Sequence, residues 1–288
     1  MFDVFIYCIY GLFAFVCIFP FYYIVINTIS NNEMVASGLV LFFPRGIHFD
    51  NYFQVFQIKG IYSAAFISLS RTVVGTLISV LSASFIGYAM TKREYWHRKF
   101  WYRFIIITMY FNAGLIPWYL TMRNLSLTNN FLAYVLPSLC GPFNMILVKT
   151  YIESIPASLE ESSEVDGAGY LKRYFWIILP LAKPILATIA IFSAVGQWNS
   201  FMDTVFLMTK DSLFTLQFIL YKYLNSINSL AEMMKRNPTF TNASAATMLT
   251  PVAVRFTVSV VTVIPILLVY PFFQRFFVKG IMIGAVKG

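Results

Sequence analysis

Ile155-Pro156-Ala157-Ser158-Leu159-Glu160-Glu161-Ser162-Ser163-Glu164-Val165-Asp166-Gly167-Ala168-Gly169 is a polar run set between two long apolar ones. It is too short and too polar to cross a bilayer, where a helix needs about 20 mostly apolar residues. Pro156 suits the first turn of a helix, because its missing N–H is not needed there. Glu160, Glu161 and Glu164 put negative charge toward the N-terminal half, as the helix dipole prefers. Gly167 and Gly169 supply the positive φ that stops such a helix. The stretch reads as a short exposed helix joining two membrane spans, with charge that a plain anchor does not require.

Outward from this run the chain is apolar. Of its 288 residues 59% are hydrophobic, 18% aromatic and only 11% charged, and the mean hydropathy is +0.71. A soluble domain carries about 25% charged residues and about 45–50% apolar ones. A soluble enzyme, a disordered chain and a nucleic-acid-binding domain are therefore excluded. The net charge of +9 does not restore the last, since Lys and Arg fall between long apolar runs and form no continuous basic surface. Cys8, Cys17 and Cys140 all lie in apolar stretches, with no CxxC pair and no disulfide framework. His48 and His97 are far apart, so no metal site is expected.

Six segments are long and apolar enough to span: roughly 5–29, 65–90, 102–121, 131–151, 175–205 and 252–273. The fold class is an all-α polytopic membrane protein of six transmembrane helices in a single domain. The first segment lacks a basic n-region and a small-residue cleavage site, so a retained helix is predicted rather than a signal peptide. The loop 91–103 holds Lys92, Arg93, Arg98, Lys99 and Arg103, and the positive-inside rule places it in the cytoplasm. Alternation then puts both termini, the 152–174 segment and the 274–288 tail inside, and the 30–64, 122–130 and 206–250 loops outside. Arg71 and Arg255 fall near outer helix ends, where they snorkel outward or face a polar interior. Prolines are expected to interrupt helices: Pro117 the third, Pro137 and Gly141-Pro142 the fourth, Pro180 and Pro184 the fifth, Pro265 the sixth.

The run Glu161-Ser162-Ser163, followed by Asp166-Gly167-Ala168 and then Ile178-Leu179-Pro180, resembles the EAA loop of ABC importer permeases, with serines in place of the two alanines. The end of the chain, Phe272-Phe273-Gln274-Arg275-Phe276-Phe277-Val278-Lys279-Gly280 and then Gly284-Ala285-Val286-Lys287-Gly288, resembles the C-terminus of MalG-type sugar permeases. Within that group the stretch from Lys235-Arg236-Asn237-Pro238 to Thr250-Pro251 is similar to the oligosaccharide permeases of the LplC and YtcP type. The fold that the resemblance implies is the MetI-like core of a type I importer. It also implies that Glu161, Ser162, Ser163, Asp166, Gly167 and Ala168 dock on an ATPase, and that Gln274, Arg275, Lys279 and Gly280 reach toward the same ATPase.

No phosphate loop, HExxH or GxSxG is present, so the chain itself is expected to be neither enzyme nor nucleotide binder. ATP and magnesium belong on a separate ATPase dimer. The other implied partners are a second, non-identical permease subunit, an external solute-binding protein, membrane lipid and an oligosaccharide, with no nucleic acid and no cofactor in this chain. For the sugar pathway, Trp118, Tyr119, Trp198 and Asn199 combine aromatic faces with a polar amide, although Trp and Tyr also anchor helices at the lipid interface. Tyr221, Tyr223 and Phe240 of the long outer loop are candidate contacts for the binding protein, with surface packing as the plainer alternative. Two rivals stand: an ABC permease for another solute, such as a peptide or amino acid, and an ion-gradient carrier using Asp203 or Lys183.

Overall fold

A computed structural model describes residues 2–225 and 251–280, with the side chains of Pro251, Val269, Tyr270 and 272–280 outside the description. The described residues are helical and contain no strand. They divide into two compact units, 2–64 with 216–225 and 251–267, and 65–215 with 268–280.

In the first unit, α1 (Phe2–Thr28) is followed by α2 (Asn32–Ala36) and α3 (Asp50–Phe56). Nearly all of α1 is exposed apolar surface, as a lipid-facing helix requires. Only its C-terminal Ile26, Asn27 and Thr28 are buried. Ile26 packs with Val35 and Val40, and Asn32 and Asn51 exchange side-chain amide hydrogen bonds at 3.1 and 3.0 Å. Asn51 also donates to the Thr28 carbonyl at 2.9 Å, so a fully buried amide is satisfied. Val55 meets Val254 and Val258 of the last helix.

The second unit holds most of α4 (Ile61–Ala89), then α5 (Arg98–Tyr110), α6 (Leu115–Asn124), α7 (Leu132–Val135) with a 3-10 continuation to Leu139, and α8 (Pro142–Glu153). After them come α9 (Ser158–Val165), α10 (Tyr170–Arg173), a π segment Tyr174–Ile178, α11 (Leu179–Leu181), α12 (Lys183–Asn199) and α13 (Met202–Leu207). Residues 216–225 form α14, and Pro251–Gly280 is α15. Of these, α1 and α4 are each long and apolar enough to cross a bilayer alone. Three pairs qualify only when taken together, and each is bent: α5 with α6 by 119°, α7 with α8 by 41°, and α10–α11 with α12 by 78°.

The fourth segment breaks at Gly141-Pro142 and the fifth at Ala182, between Pro180 and Pro184, as the prolines predict, whereas the third and sixth do not follow theirs. The third segment bends at 111–114, where Gly114 has φ +88 and ψ 175, a conformation open essentially to glycine alone. Pro117 lies in the first turn of α6, where no intrahelical bond is lost. Pro142 and Pro184 likewise start α8 and α12. Pro20 and Pro265 lie inside helices that continue past them.

Two contacts bear on segments that the sequence reading places together. Lys92 of the 91–103 loop pairs with Glu160 of the 152–174 segment, and Asn129 of the 122–130 loop donates to Thr209 Oγ1 at 2.9 Å. Each contact joins two segments assigned to one side.

Candidate functional site: an exposed helix on a charged latch

Helix α9 begins at Ser158, with Pro156 just ahead of it and Ala157 at the cap. Its C-terminus is a Schellman cap. Gly167 at φ +79 donates to the Glu164 carbonyl, and the Ala168 N–H reaches back to the Ser163 carbonyl, both at 2.9 Å. This is the physical content of the Asp-Gly-Ala triplet. Gly169, expected to help stop the helix, instead has φ −69 and caps the start of α10.

The acidic trio divides. Glu160 Oε1 accepts from the Tyr88 hydroxyl in the last turn of α4 at 2.8 Å and pairs with Lys92, three residues past the end of that helix. Arg173 Nη1 lies 3.8 Å from that same oxygen and donates to Glu164 Oε2 at 2.7 Å. Arg173 also covers the Tyr170 ring, and Lys92 the Tyr88 ring. Burial works against charge on Arg173, but Glu164, Tyr88 and Glu160 outweigh it and hold the guanidinium pKa above its ordinary value. Glu160 and Glu164 therefore latch α9 to α4 and α10. Glu161 is exposed and has no ion-pair partner among the described residues.

Ser162, Val165, Asp166 and Gly167 are also exposed, whereas Ser163 and Ala168 are half-buried. Val165 is 89% exposed and Leu159 45%, so the outward surface of α9 pairs apolar knobs with the Glu161 and Asp166 carboxylates. Sequence reasoning missed Leu159 and Val165, and it missed Tyr88, Lys92 and Arg173 as the latch. Lys92 stood out only as part of a basic cluster.

The pathway candidates scatter. Trp118 lines a cavity of the second unit, together with Arg71, Asn144, Ser193, Gln197 and Asp203. Tyr119 packs beside Tyr134 and Met122. Trp198 is buried on α12 and Asn199 is exposed at its end, and neither lines the cavity. Asp203 forms a buried ion pair with Arg71, and Lys183 is exposed at the start of α12. Tyr223 packs near Val55 and Val254. Gln274, Arg275, Lys279 and Gly280 belong to the helical backbone of α15, and the side chains of the first three lie outside the description. Phe240, the stretch 235–250 and the tail from 281 lie outside the described residues.

Comparison with known proteins fits this arrangement. Residues 75–283 match the family model described as binding-protein-dependent transport system inner membrane component. The chain is 32% identical over its whole length to the polygalacturonan/rhamnogalacturonan transport system permease protein YtcP of Bacillus subtilis, covering 99% of that protein. It is 32% identical to protein LplC of the same organism, over 95% of this chain and 90% of the relative. Among solved structures, a chain of a bacterial ABC transporter involved in the import of the acidic polysaccharide alginate matches with TM-score 0.84 and 31% identity, over 96% of both chains. An all-helical chain with an exposed, latched helix between apolar segments, matched over its whole length in this way, belongs to the family of binding-protein-dependent transport system inner membrane components.

Proposed function

We propose that the chain is one of two permease subunits of an ATP-driven importer for oligosaccharides, working by alternating access. Transport systems named for sugars among its relatives support the substrate class. The observation that carries the mechanism is α9: an exposed helix, capped sharply by Gly167 and held by Glu160 and Glu164 to the ends of α4 and α10. Such a helix moves only with the membrane helices it is tied to. Glu161, Ser162, Asp166 and the apolar Val165 form the surface offered to an ATPase, while Ser163, Gly167 and Ala168 build the cap that shapes it.

In this reading ATP and magnesium sit on the partner ATPase dimer, and its closure pushes α9. Rigid-body motion of the bundle then turns the pathway from the binding protein outside toward the cytoplasm. Both termini, the 91–103 loop and α9 lie on the cytoplasmic side, in line with the basic cluster. Gln274, Arg275, Lys279 and Gly280 extend toward the ATPase from the same side. The carrier reading loses its main candidate: Asp203 is matched by Arg71, so its charge is already compensated within the protein.

Gentle purification of the tagged chain, with mass spectrometry of what accompanies it, tests this. A second six-span permease and an ABC ATPase are expected. Recovery of the chain alone from intact lipid would overturn the assignment.

A further inference from the structure

A cavity of about 550 Å³ opens in the second unit, walled by parts of α4, α6, α7 with its 3-10 continuation, α8, α12 and α13. That volume falls in the range of small-molecule sites, roughly 300–1,000 Å³. We propose that it is a subsite for an uncharged, hydroxyl-rich ring of the transported oligosaccharide, and that it rejects a uronate. The proposal rests on the importer reading above and adds to it a substrate class.

One wall is polar and neutral. Ser79 Oγ and Ser193 Oγ lie 3.0 Å apart, and Asn144 Nδ2 donates to them at 3.3 and 3.2 Å. Three helices, α4, α8 and α12, contribute one small polar side chain apiece to the same point. Only one hydroxyl hydrogen is used in the serine–serine bond, so the trio can both donate and accept. Neighbouring hydroxyls of a sugar ask for that combination. Ser138 adds a further hydroxyl to the lining, and Trp118 an aromatic surface. Residue 75 is glycine, and a Cβ there would come within 2.6 Å of Gln197 Nε2, so the amide would have to shift.

The charges decide the class. Arg71 and Asp203 are the ionised residues of the lining, and they cancel. Four of the arginine's five N–H groups are engaged. Its Nε donates to Gln197, Nη1 to the Ser200 carbonyl and Asp203, Nη2 to Asp203, and its plane lies over the Tyr134 ring. Its side chain is 3% exposed against 15% for Asp203. What the pair presents to the cavity is therefore carboxylate rather than guanidinium. A sugar hydroxyl donates readily to such an oxygen. An incoming carboxylate would lose its water beside a like charge, with no unpaired cation in the lining among the described residues to meet it. The cavity in this chain thus differs in preference from what the alginate importer's acidic cargo would suggest for the solved relative.

The test uses the complete importer, reconstituted with its partner subunits and binding protein. Ser193→Cys is made in a chain whose Cys8, Cys17 and Cys140 are replaced by serine, and Ser138→Cys gives a second position in the same lining. Alkylation of the introduced thiol by a small water-soluble maleimide is timed with millimolar raffinose, arabinotriose or maltotriose, and separately with trigalacturonate. Import of each probe is measured in parallel. The expected result is that an imported neutral probe slows alkylation several-fold at both positions, while trigalacturonate leaves the rate unchanged. Equal or greater protection by trigalacturonate, or import of trigalacturonate alone, overturns the neutral preference. Import of a neutral probe with no protection at either position overturns the subsite and leaves the importer reading intact. Failure to import any probe overturns both.

Discussion

Arg71 and Asp203, 132 positions apart, meet through two parallel hydrogen bonds, Nη2 to Oδ2 at 2.6 Å and Nη1 to Oδ1 at 3.1 Å. The pair ties α4 to the start of α13, just past the point where α12 ends and the chain turns at Ser200. Removing one partner strands a buried charge. Asp203→Ala is expected to cost about 3–5 kcal/mol, whereas Arg71→Met with Asp203→Leu recovers most of that loss. Thermal unfolding of the purified chain in lipid measures both, and equal destabilisation by the single and double changes would count against this account.

The split of the acidic trio predicts a split in phenotype. Glu160→Gln weakens bonds to Tyr88, Lys92 and Arg173 and should cost about 1.5–3 kcal/mol of stability. Glu161→Gln, on an exposed site, should stay within about 0.5 kcal/mol. Its effect appears instead as reduced recovery of the ATPase on purification. If the two variants lose the ATPase equally and unfold alike, the division is wrong.

Gly167 stands in open space, so size is not its constraint; its φ of +79 is. A residue with a Cβ in that conformation costs about 1–2 kcal/mol, and asparagine tolerates it better than leucine. Gly167→Leu is expected to lower sugar import per ATP hydrolysed by the reconstituted importer, with Gly167→Asn between it and the parent. Normal coupling in Gly167→Leu would remove the cap from the mechanism.

The bend before α6 offers a comparison within one turn. Gly114→Ala forces a Cβ into a conformation reserved for glycine and should cost about 1–3 kcal/mol. Pro117→Ala, in the first turn of the helix that follows, should change stability by no more than about 0.5 kcal/mol. Unfolding of the two variants side by side reads the contrast, and the reverse order would return the bend to the proline.

What was legible in the sequence was whatever is local. Apolar runs located the membrane helices, because a bilayer demands continuous internal hydrogen bonding over a fixed length. Asp166-Gly167-Ala168 located the helix stop for a reason written into three residues. The bends at Gly141-Pro142 and between Pro180 and Pro184 were legible, whereas that of the third segment was misread, because proline is the visible breaker while Gly114 acts through a dihedral that no composition rule flags. Arg71 and Asp203 each stood out as misplaced charges, but nothing in a linear reading joins residues so distant. Ser79, Asn144 and Ser193 looked like the ordinary polar residues that membrane helices tolerate, and only packing brings them to one point. Trp118 was legible as an aromatic, and its neighbours were not.

Helix α4 carries Tyr88 and Lys92's anchorage near one end and Arg71 on the same shaft, about 25 Å away at 1.5 Å per residue. Described residues between them show no break in the helix. A rod of that kind neither stretches nor bends cheaply, so in the importer we propose a tug on α9 would arrive at the cavity wall as displacement rather than being absorbed on the way. The latch is thus the fixed end of a lever, and loosening it would leave the handle turning without the shaft.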